Sequence, residues 1–201
     1  LMALDLTALR AALSENRPVV LTAPPGTGKT TTIPPALLAE PWLEGKKIIV
    51  LEPRRLAARR AAQYIAETLH ESPGETVGWQ VRLERCVGPK TRIEFLTEGL
   101  LARKILEDPE LSDVGLIIFD EFHERALPLE VAFALTKEVR EGLRPDLRVL
   151  IMSATLQPDI LPNAVFIEIP AKAYPVEIQW VGPLSPLTAV RKALAETEGS
   201  I

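Results

Sequence analysis

Ala23-Pro24-Pro25-Gly26-Thr27-Gly28-Lys29-Thr30 follows the apolar run Val19-Val20-Leu21-Thr22 and leads into a helical stretch. Glycines at 26 and 28 let the backbone take conformations other residues avoid and come close to a ligand. A helix starting directly behind them aims its free amides and the positive end of its dipole at the same point. With Ala23 in place of the first glycine, Lys29 and Thr30 complete the pattern of a phosphate-binding loop. On this reading Ala23, Pro24, Pro25, Gly26, Thr27, Gly28 and Thr31 wrap the phosphate chain. Lys29 reaches the β- and γ-phosphates, and the Thr30 hydroxyl ligates Mg²⁺. The competing reading is a Gly-Pro turn that merely joins a strand to a helix. Pro34 and Pro35 follow soon after, so the helix should be short or kinked.

Outward from the loop, short β-branched runs alternate with longer helical patterns. Val19–Thr22, Lys47–Leu51, Ile93–Leu96, Leu116–Phe119 and Val149–Met152 read as buried strands. Leu56–Leu69, Gly99–Leu106 and Leu129–Val139 carry apolar residues at three- and four-residue spacing and read as helices. Such alternation predicts a three-layer α/β fold, a mostly parallel central sheet covered on both faces. Sheets of this kind bind ligands at the carboxyl ends of their strands.

At one such end, Leu116-Ile117-Ile118-Phe119 runs into Asp120-Glu121-Phe122-His123. Opposite a phosphate loop, two carboxylates divide the work of nucleotide hydrolysis. Asp120, with Glu121 beside it, holds Mg²⁺ or its waters, and Glu121 orients and deprotonates the attacking water. By itself the pair could be an acidic strand-to-helix turn; beside the loop, the chemical reading is favoured.

Asp120-Glu121-Phe122-His123-Glu124-Arg125 resembles the DEAH box of superfamily 2 helicases, with Phe in the third position. That variant is similar to the bacterial HrpB branch of the DEAH-box family. Other family motifs follow in order: Glu52-Pro53-Arg54-Arg55-Leu56-Ala57-Ala58, Val77-Gly78-Trp79-Gln80-Val81-Arg82, Thr97-Glu98-Gly99-Leu100-Leu101 and Ser153-Ala154-Thr155. The resemblance implies the first of two RecA-like domains of an ATP-dependent helicase, using ATP and Mg²⁺ and gripping single-stranded RNA or DNA. It implies catalytic roles for Lys29, Asp120, Glu121 and His123, and a nucleotide-state contact between His123 and Ser153 and Thr155. It places Arg54, Arg55, Thr97, Glu98 and Gly99 on the nucleic-acid backbone, with Arg82 a weaker candidate. Ordinary helix starts and caps would account for the same residue types. In relatives an arginine on the helix after the Arg-Arg motif stacks on adenine; Tyr64 falls at that position here. Tyrosine can stack without the cation–π component, or it can be a half-buried helix aromatic. Phe122 replaces a small Ala of the family, so packing behind the box must differ.

Composition narrows the alternatives. The 201 residues suit one large α/β domain, or one with the start of another. Net charge is −4, so any nucleic-acid contact must come from local basic clusters such as Arg54, Arg55, Arg59 and Arg60. A single cysteine, Cys86, allows no internal disulfide and suits a cytoplasmic protein. No apolar run approaches the roughly 20 residues of a membrane span. No Asn-Lys-x-Asp guanine reader follows a later strand, which weighs against a GTPase. A kinase would lack the Asp-Glu-Phe-His and Ser-Ala-Thr pair. A non-catalytic, nucleotide-dependent RNA-binding module is the remaining rival. Val176–Trp180 reads as a further strand and Leu187–Glu198 as a short helix. The expected division is 1–182 as the first RecA-like domain, then 183–201 as a linker helix and the start of a truncated second. Taken alone, the chain is expected to be monomeric.

Overall fold

The computed structural model describes residues 5–155, 161, 163–170, 180 and 182–196. The chain parts into two compact units, Leu1–Ala171 and Lys172–Ile201. In the first, α1 (Thr7–Ser14), β1 (Val19–Thr22), α2 (Lys29–Ala36), β2 (Lys47–Leu51) and α3 (Arg55–Thr68) are followed by β3 (Val77–Val81) and β4 (Glu84–Cys86). Then come β5 (Ile93–Leu96), α4 (Glu98–Glu107), β6 (Val114–Phe119), α5 (Leu127–Gly142), β7 (Arg148–Ser153) and β8 (Val165–Glu168). The strands form one sheet in the order β4-β3-β5-β2-β6-β7-β1-β8. Every described pairing is parallel except β3 with β4, which are joined by a tight turn.

The two-residue period of the central strands explains the three layers. Ile48, Val50, Leu116, Ile118, Leu150 and Met152 point to one face, where α1, α2 and α3 contribute Leu9, Ile33 and Ile65. Ile49, Leu51, Ile117, Phe119, Val149 and Ile151 point to the other, against Leu101 and Ile105 of α4 and Leu129 and Val139 of α5. A strand buried on both faces reads as a continuous apolar run, which is why these five strands were legible without a periodic signal.

These five expected strands and three expected helices are all present: β1, β2 and β5 with the expected bounds, α3 shifted by one residue, and β6, β7, α4 and α5 longer. β3, β4, β8 and α1 were not expected. β3 lay hidden in the Val-Gly-Trp-Gln-Val stretch, whose Gly78 leaves no room for a side chain: a Cβ there would lie 2.2 Å from the Cys86 carbonyl oxygen. As foreseen, α2 is short. Its prolines occupy the last turn, and the Leu37 and Leu38 amides close on the carbonyls of Pro34 and Pro35 at 3.2 and 3.3 Å.

In the second unit, α6 (Pro186–Glu196) begins after Ser185, whose hydroxyl oxygen accepts the Thr188 amide at 3.3 Å. The strand expected at 176–180 lies, except for Trp180, outside the described residues. None of the helices among the described residues is long and apolar enough to cross a membrane.

Candidate active site

The phosphate loop leaves β1 and is pinned at its base, where the Ala23 amide donates to the Ser153 carbonyl at 3.0 Å. Gly26 and Gly28 have φ of 78° and 77°, the left-handed conformation for which glycine is suited. Gly28 caps α2, and its carbonyl receives the Thr31 and Thr32 amides at 3.1 and 2.9 Å. Thr27 and Thr31 turn their hydroxyls inward, donating to the carbonyls of Pro24 and Gly28. The loop is therefore preshaped from within, and it leads directly into the first turn of α2, where the Lys29 and Thr30 amides come before the first intrahelical bond.

Across β7, the strand between β1 and β6, stand the acidic residues. Thr30 donates its hydroxyl to Asp120 Oδ2, and Lys29 Nζ donates to Glu121 Oε1 at 3.0 Å. Residues some ninety positions apart thus meet at one point. Asp120 is fully buried; burial pushes its carboxyl up, opposed by the Thr30 hydrogen bond and the Lys29 charge. Lys29 is 3% exposed, and a buried ammonium requires an anionic partner, which Glu121 provides. Glu121 has φ of 48°, an unusual conformation that turns its carboxylate back over the loop. Its other oxygen lies 3.4 Å from His123 Nδ1.

The expected hydrogen bonds from Ser153 and Thr155 to His123 are corrected by the structure. The Ala154 backbone amide, not a hydroxyl, points at His123 Nδ1, at 3.4 Å. The Ser153 hydroxyl instead accepts the Thr155 amide at 3.2 Å, because the chain turns on itself as it leaves β7. Phe122 accounts for its departure from a small residue. It is fully buried, edge-on to Phe119 at 6.1 Å and to Phe133 at 5.2 Å between ring centres. This aromatic trio anchors the short 3₁₀ turn Phe122–Glu124 between β6 and α5.

A cleft of about 600 Å³ opens beside the loop, with Pro25, Thr30 and Thr31 on one wall and Glu121 and His123 at its end. The opposite wall is α3, and Tyr64 stands in it, 46% exposed. Tyr64 is therefore in the cleft rather than in the core. Sequence reasoning missed two residues here. Glu52, quoted only as part of a motif, is 5% exposed at the end of β2 and lines the cleft. Burial, then the Asp120 charge, pushes its carboxyl up to about 8. Arg60 was noted only as a member of a basic cluster, yet it lies on the cleft wall. Its spacing of four from Tyr64 was the available signal.

Sheet order sorts the remaining expectations. Arg54 and Arg55 follow β2, Thr97 to Gly99 follow β5, and Arg82 follows β3. These strands are neighbours, so the nucleic-acid candidates share one half of the carboxyl edge, and the loop and acidic residues occupy the other. Arg55, Arg82 and Gly99 are exposed. Thr97 stands at the start of α4 without making a side-chain cap. Two details differ from expectation. Glu98 is buried, 8% exposed, so the surface there is made by its neighbours. Arg54 faces the nucleotide cleft as well and pairs with Glu124 at 2.8 Å.

Glycine-containing loop, buried lysine, hydroxyl-carboxylate pair and adjacent glutamate thus meet at one end of the sheet, beside an Asp-Glu-x-His sequence. The chain belongs to the DEAD/DEAH box helicase family, which it matches over residues 5–161. It is 52% identical over 180 residues to the ATP-dependent RNA helicase HrpB of Escherichia coli (strain K12), covering 88% of this chain and 22% of that protein. The crystal structure of the Escherichia coli DEAH/RHA helicase HrpB matches 98% of this chain at a TM-score of 0.84 and 45% identity. A crystal structure of the E. coli DExH-box NTPase HrpB covers all of it at 0.76, again with 45% identity. This confirms the RecA-like helicase fold. The chain spans 27% of each of those structures.

Proposed function

We propose that this chain is the ATP-binding domain of an ATP-dependent RNA helicase that hydrolyses Mg²⁺-ATP to move along a single strand. The reading rests on one observation above the others: Thr30 meets Asp120, and Lys29 meets Glu121, across β7. A hydroxyl beside a buried carboxylate is the hard-oxygen donor set that Mg²⁺ prefers, so Thr30 and Asp120 would hold it. Bound Mg²⁺ supplies charge neutralisation on the phosphate oxygens.

The protein's own groups do the rest. The amides at the start of α2 bind the phosphate chain. Lys29, already desolvated, exchanges its carboxylate partner for phosphate oxygens. That exchange frees Glu121, whose carboxylate can then orient a water and accept its proton. Phe122, locked in its aromatic trio, keeps Glu121 and His123 on one short turn, so the base moves little when its partner changes. Arg55, Thr97 and Gly99 on the neighbouring half of the edge suit the backbone of single-stranded RNA, or of DNA. The charge that spreads over the γ-phosphoryl group in the transition state calls for a further cation from the far side. A second RecA-like domain is the natural source. The lone cysteine supports a cytoplasmic setting.

The test is steady-state ATP turnover, with and without single-stranded RNA, of this chain beside the full-length protein. An arginine supplied from outside is worth roughly 10³- to 10⁵-fold in turnover. The full-length protein should be fast and RNA-stimulated, and this chain slow and unresponsive. Equal, RNA-stimulated rates would show a complete site within these 201 residues. No turnover by either would favour the non-catalytic module.

A further inference from the structure

The nucleotide reading accounts for the loop and the acidic pair, and the family resemblance for Tyr64, but neither gives a role to Arg60, a cation on the cleft wall. Ala57, Arg60, Ala61 and Tyr64 all line the cleft, at the spacing of a single face of α3. Arg60 and Tyr64, four residues apart, are neighbours on one ridge of the helix, with the small Ala57 and Ala61 beside them. Two neighbouring arginines are engaged, Arg54 with Glu124 at 2.8 Å and Arg59 with Glu84 at 3.5 Å and over the Trp79 ring, while the exposed Arg55 lines the neighbouring groove and not the cleft. Arg60 has no ion-pair partner among the described residues. It is exposed, and a long flexible cation lining a cleft without a partner is available to an anionic ligand.

Its place along the helix says which part of the ligand it would meet. α3 starts at the carboxyl end of β2, the edge that carries the phosphate loop, and runs back from it. Arg60 is therefore one turn, about 6 Å of rise, nearer the phosphates than Tyr64. With a base against Tyr64, the group one turn closer to the loop is the ribose and its first phosphate.

Resting on the nucleotide reading above, we infer that Arg60 is a nucleotide-binding residue. It supplies a positive charge to the ribose-phosphate portion of a nucleoside di- or triphosphate while Tyr64 takes the base. It acts through charge, so lysine should replace it far better than alanine. It also borders the neighbouring groove with Arg55 and Leu56, which makes a nucleic-acid role the rival assignment.

The experiment is equilibrium binding of ADP and ATP, and separately of single-stranded RNA, to the full-length protein and its variants. Arg60→Ala should weaken ADP and ATP about tenfold each, equivalent to about 1.4 kcal/mol, with RNA affinity unchanged. Arg60→Lys should stay within about threefold of the parent. Tyr64→Ala should weaken both nucleotides while leaving inorganic tripolyphosphate unaffected. If Arg60→Ala binds nucleotide normally while Lys29→Ala does not, the inference fails and the site reading stands. If Lys29→Ala also binds normally, the site reading itself fails. Lost RNA affinity with nucleotide binding intact would move Arg60 to the neighbouring groove. Thermal melting checks folding, and should alanine destabilise the protein, Arg60→Gln carries the same comparison.

Discussion

The two ends of the central strands are both rich in charge, and they use it in opposite ways. At the amino end, before β7, Arg144 spends its whole guanidinium on the protein. It grips Asp146 with two bonds of 2.8 Å and donates to the carbonyls of Glu110, Leu111 and Val114. Lys46 adds a third contact to Asp146 at 3.3 Å. At the carboxyl end, Lys29, Asp120, Glu121 and Glu52 crowd together with fewer partners than their chemistry allows. The difference shows in their acidities. Arg144 holds the Asp146 carboxyl well below the usual carboxylate range, and burial pushes Glu52 up to about 8. Saturated charge fixes the fold. Undersatisfied charge in a cleft is held ready for a ligand.

Substitutions can break this contrast. The largest effect expected is at Glu121. Glu121→Gln keeps the shape, can still accept from Lys29, and removes the base, so turnover should fall roughly 10²- to 10⁴-fold with ATP still bound. Rapid-quench turnover and equilibrium binding on the full-length protein check both halves. Normal hydrolysis by the variant would reassign the base.

Arg144→Ala should do the reverse. Losing the Asp146 pair and three carbonyl bonds should cost about 2–4 kcal/mol. At about 2–4 °C per kcal/mol for a domain of this size, melting should drop noticeably, and ATP affinity should not change. A variant that melted normally but bound ATP poorly would show that the two ends are coupled.

The smallest effect is one of slope with pH. A carboxyl raised in the folded state binds more protons there than in the unfolded chain. Glu52 should therefore weaken the fold as pH rises from its unfolded value, near 4.5, to about 8. Asp146, lowered in the fold, contributes stability that is present above its unfolded pKa and lost as pH falls through its folded one. Glu52→Gln should flatten the melting-versus-pH profile between about pH 4.5 and 8 and leave the more acid limb alone, and Asp146→Asn the reverse. If Glu52→Gln left that interval unchanged, Glu52 would not carry the buried proton assigned to it.

Much of the site was legible because its chemistry is local. Gly26, Gly28, Lys29 and Thr30 act through neighbouring backbone, so their spacing alone announces a phosphate cradle. Asp120-Glu121 at the end of a fully apolar strand is equally self-contained. The five central strands could be read because burial on both faces leaves them mostly apolar, with few polar residues such as Thr22, Glu94 and Ser153. Short or half-buried elements such as β4 and β8 leave no such mark. β4 exists because β3 turns back and pairs with it, and β8 because β1 offers an open edge.

Other decisions belonged to the tertiary structure. That β7 sits between β1 and β6, bringing Thr30 to Asp120, is a matter of strand order, which no local pattern encodes. That Glu52 is buried among carboxylates, and that among the described residues Arg60 has no ion-pair partner where Arg54 and Arg59 do, depends on which distant residues fold alongside them. A sequence specifies which groups are present and what each can do. Only packing decides how much water and how many partners each one keeps, and with charged groups that decides whether they hold the fold or wait for a ligand.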